Sequence, residues 1–106
     1  MTKVFISQPM NGREWDEIMQ EREKALVEAG KRLQVKVRAT PLYLTRYDLS
    51  KPLFKLGDSL QYLSNADVAY FCKGWRARRG CRIEHLACEE YGIPILEEEE
   101  NEETDE

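Results

Sequence analysis

Short apolar runs alternate with helical three-and-four spacing along the chain as far as Leu96. Lys3–Ser7 (Lys-Val-Phe-Ile-Ser) is an uninterrupted apolar run, the pattern of a strand buried on both faces. Pro9 and Gly12 break it. Asn11 and Glu14 stand at capping-box spacing, which predicts a helix with Asn11 as its cap. Trp15, Ile18, Met19, Arg22, Ala25, Leu26, Ala29 and Leu33 then fall on one stripe, with Gly30 weakening the last turns. Val35–Ala39 alternates, and its Lys36 and Arg38 suit a sheet edge. Thr40–Ser50 is irregular; its Tyr43 and Tyr47 could stack on a base or cover the core. Ser50 as cap and Pro52 in the first turn predict a second helix, with Leu53, Leu56, Leu60 and Leu63 on its stripe and Asn65 at its end. Ser59 lies at the edge of that stripe. Asp67 leads into a strand, Val68–Cys72, and a loop, Lys73–Gly80, opens a third helix expected to bury Ile83, Leu86, Ala87 and Tyr91. Gly92 ends it, and Pro94 puts the final strand, Ile93–Leu96, at an edge.

Strands and helices alternate without an internal repeat. That order predicts an α/β fold of three layers, flavodoxin/Rossmann-like, with a parallel sheet and helices on both faces. Right-handed crossovers and short connections favour the strand order 2-1-3-4. Ligands in such sheets bind beyond the carboxyl ends of the strands, at the switch point between strands 1 and 3. The loops there are Ser7–Gly12 and Lys73–Gly80.

Composition changes this picture in one respect. The chain of 106 residues has a net charge of −4, but eight of its acids lie in the last ten residues, Glu97–Glu106. The remainder sets 16 Lys and Arg against 12 Asp and Glu, a net of +4. Residues 1–96 are therefore read as one mildly basic domain, and 97–106 as an acidic tail too polar to pack. No apolar run approaches the roughly 20 residues of a membrane helix. No signal peptide precedes the first strand, and Cys72, Cys81 and Cys88 form no C-x-x-C pair. A cytoplasmic protein with reduced thiols is expected.

Basic charge gathers at Arg76, Arg78, Arg79 and Arg82, where the third helix begins. Forked guanidinium bonds and free backbone N–H groups at a helix start suit phosphate or another small anion. A solvated, surface-paired arginine loop is the plainer alternative. Nucleic acid is disfavoured, because the body is only mildly basic and the acidic run would compete. Glu84 stands one turn into the helix. Cys81, His85 and Cys88 share a helix face, yet a fourth metal ligand is missing and buried thiols with an ordinary histidine are the better reading. No G-x-S-x-G accompanies a Ser-His-Asp set. No metal and no cofactor are expected.

Three stretches resemble the nucleoside 2-deoxyribosyltransferase superfamily, near its small bacterial and phage members. They are Val-Phe-Ile-Ser-Gln-Pro-Met-Asn-Gly at the start, Ser-Asn-Ala-Asp-Val-Ala-Tyr-Phe before the loop, and Gly80-x-x-x-Glu84 followed by Ala87 and Tyr91-Gly92-Ile93-Pro94. The likeness spans nearly all of residues 3–96. It implies a flavodoxin-like sheet, homodimers or larger homo-oligomers, and cleavage of a sugar–base bond. Glu84 matches the nucleophilic glutamate, which forms a glycosyl-enzyme ester. The branch that hydrolyses 5′-phosphorylated nucleosides holds its phosphate near the strand-3 loop, where the arginines lie here. There are departures. A strand-1 tyrosine is Phe5, an aspartate is Ser59 with Asp58 one step off, a small glycine is Gln8, and an acidic or serine position is Arg78. Asp67 matches the strand start, where a structural role is expected.

The resulting expectation is a nucleotide-binding protein, either an N-glycosidase or deoxyribosyltransferase or a non-catalytic sensor or sequestering protein. A small interaction domain without a ligand is the blander third reading. Glu84 and Ser59 are the candidate catalytic residues. Ser7, Gln8, Pro9, Met10, Asn11, Gly12, Gly74, Trp75, Arg78, Arg79, Gly80 and Cys81 are the candidate ligand contacts.

Overall fold

The computed structural model describes residues 1–42 and 51–99. The readings of Tyr43 and Tyr47, of Ser50 as a cap and of the end of the acidic run lie outside these residues. Four parallel strands, β1 (Thr2–Ser7), β2 (Val37–Ala39), β3 (Val68–Phe71) and β4 (Ile95–Glu97), pair in the order β2-β1-β3-β4. This is the order expected from right-handed crossovers. Helix α1 (Trp15–Leu33) covers one face; α2 (Pro52–Ser64) and α3 (Arg79–Tyr91) cover the other. Both short strands, β2 and β4, are edges, and Pro94 stands just before β4, as its missing N–H requires.

Period-two alternation divides the core. Val4, Ile6, Val68, Tyr70 and Cys72 face α1 and pack against Ala25 and Ala29. Phe5, Ala69 and Phe71 face the other helices and meet Leu63 and Cys88. No helix among the described residues is long and apolar enough to cross a membrane. Asp67 has the structural role expected of it, accepting the Lys3 N–H at 2.8 Å across the start of the sheet.

Three helix readings are corrected. The chain at Met10–Arg13 makes a tight turn, Arg13 N–H to Met10 O at 3.2 Å, with Gly12 at a left-handed φ of +78°. Asn11 is spent on that turn, so α1 starts at Trp15 without a side-chain cap. Within α1, Trp15 and Met19 are exposed, and the buried positions are Ile18, Arg22, Ala25 and Ala29. Arg22 belongs there because carbonyls receive it: it donates to Thr40 O at 3.2 Å, Ile6 O at 3.4 Å and Gln8 Oε1 at 3.1 Å. In α3 the buried side chains are Cys81, Glu84 and Cys88, whereas Ile83, Leu86 and Tyr91 are exposed. Counting only apolar residues rotated the helix away from its true buried face, which carries a carboxylate.

Candidate functional site

Three elements meet at Glu84. Ser7 is the last residue of β1 and, by alternation, points to the α2–α3 side. Ser59 lies on α2, and Glu84 lies in the second turn of α3. The Ser7 hydroxyl donates to Glu84 Oε1 and the Ser59 hydroxyl to Glu84 Oε2, each at 2.6 Å. Glu84 is only 8% exposed. Burial pushes its pKa up, opposed by the hydrogen bonds from Ser59 and Ser7. Each carboxylate oxygen has two lone pairs, so one serine on each still leaves an acceptor position. Cys81 is buried one turn earlier, beside the Ser7 hydroxyl. Burial raises its thiol pKa, and the Ser7 hydrogen bond and Arg78 pull it back.

The opening loop meets the arginine loop as topology requires. Gly74, at a left-handed φ of +88°, packs against Pro9; a Cβ there would lie 3.5 Å from the proline ring. A single 3-10 turn, Trp75–Ala77, leads from it to α3. Arg78 and Arg79 are exposed at the start of α3, and their side chains make no hydrogen bond or ion pair among the described residues. Arg76 and Arg82 are engaged. Arg82 donates to Arg76 O at 2.9 Å, and Arg76 lies 3.6 Å from Glu97 and over the Trp75 ring. Gly80 has open space around it, and Asn11 and Gly12 are exposed with Met10 half-buried.

Two candidate contacts are directed elsewhere. Gln8 follows Ser7, so it points to the opposite face. There it donates to Ile18 O at 3.2 Å and Glu21 at 2.7 Å while accepting from Arg22. Trp75 stacks on His85 with centroids 4.0 Å apart and planes 6° apart, beside Phe71. Its ring serves the core. His85 also bonds Glu97 at 2.8 Å, and Cys81, His85 and Cys88 do not converge on one point among the described residues. The sequence marks Ser7 as a ligand contact but does not reveal its pairing with Glu84. The signal for it was its parity with Phe5, which places both on the α3 side.

No family profile matches the chain, and no curated protein matches its sequence. Solved structures do. A conserved protein from Enterococcus faecalis V583 superposes with a TM-score of 0.60 at 14% identity, over 92% of this chain and 62% of its own. The present chain thus spans less than two thirds of that protein. The 2-deoxyribosyltransferase of Bacillus psychrosaccharolyticus superposes with a TM-score of 0.57 at 16% identity, over 94% of this chain and 77% of its own. The chain has a nucleoside 2-deoxyribosyltransferase-like fold. At these identities the likeness concerns the fold.

Proposed function

We propose that the protein binds a phosphorylated nucleoside and cleaves its sugar–base bond with Glu84 as nucleophile. The observation that carries this reading is the buried Glu84 carboxylate, fixed by one serine hydroxyl on each oxygen at the carboxyl end of β1. A fixed carboxylate suits an oxocarbenium-like transition state, because it supplies negative charge and then a bond at one point. Glu84 attacks the anomeric carbon, and the base leaves with the electrons of the old bond and takes a proton from solvent. Water, or a second base, then releases the sugar from the ester. Ser7 and Ser59 orient the carboxylate throughout. Incubation with nucleoside monophosphates, with free base read by chromatography, tests the reading.

The phosphate belongs, in this proposal, at Arg78, Arg79 and the free N–H groups of the first turn of α3. Arg78→Ala with Arg79→Ala should weaken nucleoside monophosphate binding about tenfold, as expected when hydrogen bonds to a charged group are lost. Binding of the unphosphorylated nucleoside should stay unchanged, and both are read by calorimetry. Equal losses for the two ligands would place the phosphate elsewhere.

One observation favours the second reading, a non-catalytic sensor or sequestering protein. Both Glu84 oxygens already accept strong hydrogen bonds, and burial favours the protonated, non-nucleophilic form. Thermal stabilisation by a nucleotide that stays intact would select it. The homo-oligomer is likewise proposed. Leu53 and Phe54 on α2 and Leu86 and Tyr91 on α3 expose apolar surface on the same layer. Sedimentation equilibrium is expected to show at least a dimer that Leu86→Glu with Tyr91→Glu dissociates; a monomeric wild type would overturn this. The three free, buried thiols fit a reducing cytoplasm.

A further inference from the structure

The α1 side of the sheet carries a group of side chains that sugar–base chemistry does not use. Glu21 of α1, Cys72 just after β3 and Glu98 after β4 bring one oxygen, the sulfur and one oxygen within 4.8 Å of one another. Cys72 is fully buried; the two glutamates line a cavity of about 760 Å³ above it. Protein donors orient each carboxylate through a single oxygen. Glu21 Oε1 accepts from Gln8 Nε2 and from Arg13, both at 2.7 Å, and Glu98 Oε1 accepts the Lys73 N–H at 2.8 Å. The Oε2 atom of each takes no hydrogen bond among the described residues.

A separate observation points to a ligand in the same place. Tyr70 lines this cavity and is 2% exposed, yet its hydroxyl makes no hydrogen bond among the described residues. The hydroxyl is not sealed off but opens on the cavity, where a group held there can meet it. Five glutamates line the cavity against one arginine and one lysine, and Arg13 is already paired with Glu21 and Glu17. The lining therefore favours a cation over an anion.

We propose that Glu21, Cys72 and Glu98 bind a thiophilic divalent cation, with Zn²⁺ the best match and the Tyr70 hydroxyl beside its open position. One sulfur and two carboxylate oxygens are a zinc-type donor set; magnesium and calcium prefer oxygen alone. Around one tetrahedral ion such donors sit about 3.5 Å apart, so the three would close from within 4.8 Å by roughly an ångström. Binding exchanges one proton: the Cys72 thiol and M²⁺ give the thiolate–metal bond and a free H⁺. Burial, Glu21 and Glu98 hold that proton on the sulfur in the metal-free protein, while Arg22 favours the thiolate. A cation would cancel the two carboxylates' effect. It would also tie the ends of β1, β3 and β4 to α1, since Gln8, the residue after β1, already bonds Glu21. This site is independent of the reading of Glu84.

The test uses the full chain, reduced and stripped with a chelator, titrated with Co²⁺ and then Zn²⁺. One Co²⁺ per chain should bind and give a near-ultraviolet thiolate-to-cobalt band, which Zn²⁺ then bleaches. Cys72→Ser should abolish the band, and Cys81→Ser and Cys88→Ser should keep it. Glu98→Gln, at the half-buried mouth, should weaken Co²⁺ binding at least about tenfold, and it decides the matter if Cys72→Ser does not fold. Absence of the band, its survival in Cys72→Ser, or unchanged affinity in Glu98→Gln would overturn the proposal. Cation binding by the acidic run alone gives no sulfur band and counts as that negative result.

Discussion

Glu84→Gln is expected to abolish release of free base from a nucleoside monophosphate, lowering the rate at least about 10³-fold, while the ligand still binds. Losses of that order or larger follow removal of a covalent nucleophile. The substitution keeps the shape of the side chain and leaves an amide oxygen for one serine hydroxyl. The other serine oxygen can turn to accept from the new NH₂, because a hydroxyl both donates and accepts. The fold should therefore survive, which circular dichroism and a melting curve would check. The measurement is base released per chain per minute at saturating nucleotide, beside calorimetric affinity for the same nucleotide. Undiminished release by the variant would remove Glu84 from the chemistry. No release by the wild type, with a tight and intact ligand, would leave Glu84 as a hydrogen-bonding group in a binding protein. Ser59→Ala separates orientation from attack. It should lower the rate by less than the loss of the nucleophile, since Ser7 still holds the other oxygen.

The sheet was legible in the sequence because its strands are short apolar runs divided by turn residues. Lys3–Ser7 and Val68–Cys72 could be read from burial on both faces, and the alternation of strand and helix left few topologies. The helix faces were less legible. Arg22 and Glu84 are charged residues on buried faces, stabilised by partners far away in sequence: Ile6, Gln8 and Thr40 for the arginine, Ser7 and Ser59 for the glutamate. Spacing alone puts Arg22 on the buried stripe of α1, but hydrophobicity gives no reason for a charge there and leaves Glu84 off the stripe of α3. Hydrophobicity therefore assigns Leu86 and Tyr91 to the interior, where they are not. The same cause explains the candidate contacts. Ser7 and Gln8 are adjacent and were treated alike, yet strand parity sends one to Glu84 and the other to α1. The place of Trp75 in the loop suggests a ligand contact, but its stacking on His85 depends on α3 lying over β3. Glu84 itself was found through spacing from Gly80 and through family resemblance, both local in sequence. Its two serine partners lie 77 and 25 residues away.

Stability should fall with rising pH through Glu84, and Glu84→Gln should remove that dependence. Burial raises the folded-state pKa above the ordinary carboxyl value of 4.5, and the hydrogen bonds from Ser59 and Ser7 only partly oppose it. The sign follows from linkage. Below pH 4.5 Glu84 is protonated in folded and unfolded chains alike, and its contribution is fully present. As pH rises from 4.5 towards the raised folded value, the unfolded chain loses its proton first and the folded state loses stability. The loss amounts to about 1.4 kcal/mol for each pH unit separating the two values, and it stops once the folded carboxyl has ionised. Urea unfolding of wild type and Glu84→Gln at matched pH values isolates this effect, because all other carboxyls are common to both chains. The gap should widen in favour of the variant as pH climbs from 4.5. A gap that narrows would mean that the serine hydroxyls outweigh burial. Ser7→Ala and Ser59→Ala, which withdraw the opposing hydrogen bonds, should extend the window to higher pH. The same proton governs the proposed chemistry, since only the ionised carboxylate attacks a sugar. Base release should therefore rise over the pH range in which stability falls, placing catalysis and folding in opposition at one buried side chain.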